Sequence, residues 1–208
     1  FGPEACAVFD AVADLVAGAI HFARVADELT EANRKLNWLS TRDGLTGIAN
    51  RRQFDVHLAQ TWVRQSRGGA PLALLLADVD YFKALNDSAG HLRGDDCLRR
   101  LARICESIAV DEHDLVARFG GEEFVLLLPG RTLDAAIAQG EALRRAVKEE
   151  ALTHPASPLA PHVTISVGVA ALVPSAEAAA EQLVAAADRA MYDAKTGGRD
   201  RVAWCTGG

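Results

Sequence analysis

The sequence predicts an α+β fold: a ferredoxin-like antiparallel sheet flanked by helices, preceded by a long coiled-coil helix. Three observations predict it. Residues 4 to about 40 hold no proline and a single glycine, Gly18, and their apolar positions recur at heptad spacing. Beyond residue 40, strand-like and helix-like segments follow in the order β-α-β-β-α-β with extra helices, the split unit that sets helices on one face of an antiparallel sheet. The central β-β pair is joined by Gly120-Gly121-Glu122-Glu123, the composition of a tight glycine hairpin. Two parts are therefore expected, a helix over residues 1–40 and an α/β domain over 41–208.

The helix has Val8, Ala11, Leu15, Gly18, Phe22, Val25, Leu29, Ala32, Leu36 and Leu39 in alternating steps of three and four, a coiled-coil seam. A second stripe (Phe9, Val12, Val16, Ala19, Ile20, Ala23, Ala26) implies that its first half packs on two sides, as in a bundle or against an upstream sensor domain. A lone amphipathic helix lying on its own domain fits the same periodicity. Ser40 to Gly44 stops the helix, and Thr46 to Asn50 reads as a turn capping a helix from about Arg51 to Gln65. Leu72 to Val79 is almost continuously apolar, hence a buried strand. Gly94 to Val110 reads as a helix, Leu115 to Leu128 as the hairpin, and Thr132 to Ala151 as a helix. His162 to Ala170 alternates as a strand, Ala176 to Thr196 is an alanine-rich helix, and Val202 to Trp204 is a terminal edge strand.

Composition narrows the function. The formal net charge is -6 and no basic cluster stands out, which argues against a nucleic-acid or membrane surface. No apolar run has the length of a membrane span. The four cysteines, Cys6, Cys97, Cys105 and Cys205, are scattered without zinc or redox spacing, so free thiols in a cytoplasmic protein are expected. The chain opens mid-pattern on Phe1-Gly2-Pro3-Glu4, which reads as a fragment of something longer.

The polar residues gather at strand ends and turns. The buried strand closes on Asp78-Val79-Asp80, where carboxylates need a cation or hydrogen-bond donors. The hairpin should lie beside that strand, so Asp78 and Glu122 can converge, and two carboxylates, a backbone carbonyl and substrate phosphates are a usual Mg²⁺ environment. A strand-end acid capping the next turn is the plainer reading of Asp78. Asn86 and Asp95 together offer the donors and acceptors that a guanine edge requires, and equally suit a turn residue and a helix N-cap. Lys195 and Arg199 could clamp a triphosphate, or complement a helix C-terminus closed by glycine. No P-loop motif is present. His91 lacks a second histidine at metal spacing.

Taken in order, these blocks resemble the GGDEF-domain diguanylate cyclases, in the Gly-Gly-Glu-Glu-Phe form of the signature. The blocks are Asp43-Gly44-Leu45-Thr46-Gly47 through Asn50-Arg51-Arg52; Asp78-Val79-Asp80 with Phe82-Lys83 and Asn86-Asp87; Gly90-His91 with Gly94-Asp95; Arg118 with Gly120 to Phe124; and Asp188 to Arg199. The resemblance implies the fold of adenylyl cyclase and polymerase palm domains, and condensation of two GTP into cyclic di-GMP with release of pyrophosphate. It places Mg²⁺ or Mn²⁺ on Asp78, Glu122 and the Val79 carbonyl, with Glu123 as the second signature acid. It places guanine on Asn86 and Asp95, and the triphosphate near Phe82, Lys83, Gly120, Gly121, Lys195 and Arg199. It implies a homodimer, since two sites must meet, with residues 1–39 as a signalling helix from a sensor. The rival within the family is a silent GTP or cyclic di-GMP binding module that signals through the helix. One departure stands out. Many members carry an inhibitory Arg-x-x-Asp ahead of the signature; here Asp114 is kept and Asp111 stands where the arginine would be.

Overall fold

In the computed structural model, which describes residues 2–175 and 177–206, the chain divides after Ser40 into two units. The first is one helix, α1 (Pro3–Thr41). Leu15, Phe22, Val25 and Leu29 of its heptad seam are exposed, as are Val16 and Ile20 of the second stripe. The side chains of Val8, Ala11, Leu36, Leu39, Phe9, Val12 and Cys6 lie outside the described residues.

The second unit runs α2 (Arg51–Gly68), β1 (Leu72–Val79), α3 (Phe82–Ala89), α4 (His91–Ile108), β2 (Leu115–Gly120), β3 (Glu123–Pro129), α5 (Leu133–Glu149), β4 (Ile165–Leu172), α6 (Ala180–Thr196) and β5 (Val202–Thr206). The five strands form one sheet in the order β2-β3-β1-β4-β5. Sequence signals account for most boundaries. Asn50 caps α2 by accepting from the Gln53 N–H at 2.9 Å, and Thr132 caps α5 by accepting from Ala135 N–H. The turn between α3 and α4 falls at Gly90, whose φ of 85° suits glycine.

Three features depart from the sequence reading. Helices cover both faces of the sheet, not one. Leu72, Leu74 and Leu76 of β1 join a core with Phe54, Leu58 and Trp62 of α2 and Leu183, Ala187 and Met191 of α6. Ala73, Leu75, Ala77 and Val79 join the opposite core with Leu98 and Leu101 of α4 and Leu143 of α5. A strand with apolar residues on both faces is the mark of a sheet buried twice. The sheet is also mixed, because β5 pairs with β4 in parallel while the other pairs are antiparallel. Finally, α4 begins at His91 rather than Gly94, α3 precedes it, α2 runs on to Gly68, and α6 begins at Ala180; Ala176 lies outside the described residues.

The seat of α6 is set by a close approach to β4. A Cβ at Gly168 would overlap the Ala187 carbonyl oxygen and the Met191 backbone nitrogen. The helix face laid there is made of Ala187, Ala190 and Ala194, all fully buried. Gly168→Ala is therefore expected to destabilise the fold by about 3 kcal/mol or more, since backbone cannot yield as a side chain does. Gly44→Ala, with no atom within 4 Å of its added Cβ, serves as the neutral control. Denaturant unfolding of the two variants checks this; equal midpoints would show that α6 moves freely on the sheet.

Candidate active site

The site is organised by β1, the central strand, and its parity. Alternation sends Asp78 to the same face as Leu74 and Leu76, the face that α6 covers. Across the β1–β3 ladder Asp78 stands opposite Glu123. Glu123 opens β3 directly after the two-residue turn Gly121-Glu122, where Gly121 takes a φ of 47°. A positive φ at the first central position is what a tight hairpin asks of glycine. The register thus sets Asp78 opposite Glu123, with Glu122, the partner expected for it, one residue earlier in the glycine turn.

From the other side α6 brings Lys195, whose Nζ lies 2.8 Å from Asp78 Oδ2. The Asp78 side chain is only 11% exposed. Desolvation pushes its carboxyl up to about 6, against the pull of Lys195, and the charges of Glu122 and Glu123 add to the rise. This is an anion held at a cost, with one cation in contact and further acids close by. Among the described residues no group of three or more His, Cys, Asp or Glu side chains forms a ready metal cage. The donor set suits a cation that takes one or two carboxylates and completes its shell from substrate.

Asp80, two residues on, is solved differently. It is 1% exposed and accepts from Thr164 Oγ1 at 2.8 Å, Ser166 Oγ at 2.7 Å and the Asp200 N–H at 3.1 Å. Its lone pairs are spent on tying β1 to β4 and to the turn after α6. The sequence signal for this is Thr164 and Ser166, which put hydroxyls on one face of an otherwise apolar strand.

Phe82, Asn86 and Gly94 come together where α3 meets α4. A Cβ at position 94 would overlap Asn86 Oδ1 and press on the Phe82 ring. The Asn86 amide oxygen is buried there without a hydrogen-bond partner, an arrangement that costs about 1–3 kcal/mol unless something supplies a donor. Asn86 is helical, not a turn residue, and Asp95 lies within α4 rather than at its N-cap. Lys83 is exposed and makes no described contact with Asp78. Arg199 stacks on Tyr81, its guanidinium carbon 4.5 Å from the ring centroid.

The hairpin is pinned from below. Arg118 donates from Nε to the Gly121 carbonyl at 2.9 Å and pairs through Nη1 with Asp43 at 3.1 Å. Asp43 also accepts from Thr46 N–H and Oγ1. Burial works to raise the Asp43 carboxyl, but these hydrogen bonds and the Arg118 charge outweigh it and hold it below its ordinary value. At the loop before β2, Arg131 Nη2 lies 3.8 Å from Asp111 Oδ2 and 3.9 Å from Asp114 Oδ2. Asp111 also accepts from His113 N–H.

A mixed five-stranded sheet covered by helices on both faces, with a glycine hairpin beside a desolvated aspartate, matches the fold of solved GGDEF domains. The chain belongs to the GGDEF family: residues 40–201 match the family described as "Diguanylate cyclase, GGDEF domain". It is 38% identical over 181 residues to the probable diguanylate cyclase DgcC of Escherichia coli, covering 86% of this chain and 47% of that protein. It is 38% identical over 165 residues to the response regulator PleD of Caulobacter vibrioides, covering 79% and 36%. The chain thus spans less than half the length of these relatives. Among solved structures it is similar to the coiled coil and GGDEF domain of DgcB from Caulobacter crescentus in complex with c-di-GMP, at a TM-score of 0.75 and 30% identity over 88% of this chain and 98% of that one. It is also similar to diguanylate cyclase SiaD of Pseudomonas aeruginosa in complex with its activator SiaC, at 0.72 and 35% identity over 97% and 77%.

The raised Asp78 carboxyl has a testable consequence for stability. A folded-state pKa of about 6 against an unfolded value near 3.8 means that the folded chain holds this proton more tightly. The group's favourable contribution is present at low pH and is lost as pH rises through about 6. The shift corresponds to roughly 3 kcal/mol. In chelator-treated buffer Asp78→Asn should be more stable than wild type at about pH 8 and converge with it near pH 4. Denaturant melts at the two pH values measure this, and a pH-independent difference would show that burial does not govern the carboxyl.

Proposed function

We propose that the chain is the catalytic part of a diguanylate cyclase, joining two GTP into cyclic di-GMP and pyrophosphate. The observation that carries the reading is the desolvated Asp78 carboxylate facing the Glu122-Glu123 hairpin, in a chain of the GGDEF family. In this reading Asp78, Glu122 and the Val79 carbonyl hold Mg²⁺ or Mn²⁺, and the buried, acid-flanked Asp78 fits such a cation. The metal, when bound, lowers the pKa of the attacking hydroxyl and offsets charge on the phosphates.

The chain's own residues do the rest. Asn86 and Asp95 take the guanine edge, which would supply the N–H that the buried Asn86 oxygen lacks. Gly120 and Gly121 let backbone approach the phosphates, Lys195 and Arg199 neutralise them, and Phe82 and Lys83 flank them. The 3′-oxygen of each GTP bonds to the α-phosphorus of the other, each time releasing pyrophosphate. Glu123, beside the metal acids, is one group able to take the hydroxyl proton. Each domain presents one GTP, so two domains must face each other, and proximity supplies much of the rate. The exposed seam of Leu15, Phe22, Val25 and Leu29 is proposed to pair in a parallel homodimer that also transmits a signal from a sensor domain. A cytoplasmic location follows from the need for GTP; among the described residues no helix is long and apolar enough to cross a membrane. A silent binding module is the weaker reading, because the chain keeps Asp78, Glu122, Glu123, Lys195 and Arg199.

The direct test is incubation with GTP and Mg²⁺. Cyclic di-GMP should form, with specific activity rising with protein concentration. Glu122→Gln should lower turnover by at least about a hundredfold with the fold retained. ATP should be a poor substrate, since a site built to hydrogen-bond one base leaves its groups unpaired with another. Comparable turnover of ATP and GTP would remove the guanine assignment.

The altered loop bears on feedback. An arginine would offer planar donors to phosphate and guanine, whereas Asp111 offers only acceptors and negative charge. Arg131, the nearby cation, already lies between Asp111 and Asp114. Strong product inhibition through this loop is not expected. Cyclic di-GMP that binds should do so at Asn86 and Asp95 and compete with a non-hydrolysable GTP analogue in calorimetry. Tight binding that the analogue leaves intact would show that the loop, or another surface, still takes product.

A further inference from the structure

We infer that Lys195 is a tethered counter-ion for the metal position: its ammonium holds Asp78 until a metal–nucleotide complex arrives, then passes to the triphosphate. The inference rests on the reading of Asp78 and Glu122 as metal ligands. It gives Lys195 two successive partners rather than one.

The geometry supplies the first partner. Lys195 Nζ is 2.8 Å from Asp78 Oδ2, and the Lys195 side chain is 29% exposed against 11% for Asp78. The carboxylate is fixed in a buried strand, while the ammonium rides on a flexible four-carbon stem in the last turn of α6. Of the two, the lysine is the one free to leave. Lys195 is the cation that favours the Asp78 anion, whereas Glu122 and Glu123 oppose it. The other basic residue of this helix end, Arg199, is engaged with Tyr81. Lys195 is thus the described charge that stands against the Asp78 anion.

A dication on the same carboxylate would face that ammonium at close range. Like charges in a partly desolvated pocket repel strongly, so one cation must withdraw. A metal alone offers the ammonium nothing in exchange. A metal carried on a triphosphate brings several anionic oxygens, and the lysine can move to one of them. Metal and nucleotide then bind with positive coupling, each favouring the other. The pair also keeps the Asp78 charge balanced between turnovers.

The test is Mn²⁺ binding to the full 208-residue chain without nucleotide, by calorimetry and by the electron paramagnetic resonance of free Mn²⁺. Lys195→Met should bind Mn²⁺ at least about fivefold more tightly than wild type. Lys195→Arg, which keeps the charge, should bind Mn²⁺ no more tightly than wild type does. The gain should vanish in Asp78→Asn/Lys195→Met. With a non-hydrolysable GTP analogue present, wild type should tighten on Mn²⁺ more than Lys195→Met does. Lys195→Gln replaces the methionine variant if circular dichroism shows that the latter misfolds. Should Lys195→Met match wild type while Asp78→Asn weakens binding, the counter-ion role is overturned and the metal assignment survives. Should Asp78→Asn leave Mn²⁺ binding untouched, the metal assignment fails and the counter-ion role falls with it.

Discussion

The second unit turns on one constraint: its central strand is buried on both faces, yet ends in two carboxylates of the same parity. Such charges are expensive unless each finds a partner. The fold answers twice, in opposite ways. Asp80 is closed off by two hydroxyls and a backbone N–H, donors that cost little to bury and do not leave. Asp78 is met by an ammonium alone, with acids beside it. A carboxylate engaged by three fixed neutral donors has little left to offer a cation. One balanced by a mobile charge keeps that capacity. On the proposed reading, what separates Asp80 from the metal-holding Asp78 lies in the donors around each, not in residue type.

The hairpin must be as rigid as the strand it faces. Its acids follow a two-residue turn, and such a turn on an edge pair would fray in water. Arg118 prevents this by gripping the Gly121 carbonyl from the strand below. Arg118 is itself held by Asp43, whose carboxylate takes three further donor contacts within its own turn. The segment Thr41 to Asn50 is also stitched to β2, with Arg118 N–H donating to the Ala49 carbonyl at 2.8 Å. The turn that presents Glu122 is therefore as well determined as the loop that opens the domain.

Much of this was legible in the sequence, for identifiable reasons. The hairpin declared itself by glycines between apolar runs, and Asn50 and Thr132 by their capping positions. The nearly continuous apolar run of Leu72 to Val79 also records that the sheet is covered twice, whereas segment order alone suggests a one-faced layer. Direction of the last strand was not legible, because a short apolar segment pairs equally well either way in pattern. The α3–α4 break hid behind residues that individually suit turns and caps; only the overlap of position 94 with Asn86 shows why glycine stands there. Contacts such as Arg118 with Asp43 join residues 75 apart, and no local pattern encodes them.

The alanine-rich character of α6 follows from the same geometry. Where the helix lies on Gly168 closely enough for backbone to meet backbone, it turns the small, fully buried side chains Ala187, Ala190 and Ala194 inward, with Leu183 and Met191 also packed against the sheet. The helix consequently sits lower on the sheet than one faced with leucine would. From the last turn of the same helix, Lys195 reaches Asp78 at 2.8 Å. An arginine at 195 would keep the charge but spread it over a planar fork suited to two acceptors at once, and a fork that grips both oxygens of Asp78 is harder to displace than a point charge on one. A single ammonium in the last turn of α6 suits the ion pair we propose, one that holds Asp78 in one state and yields in the next.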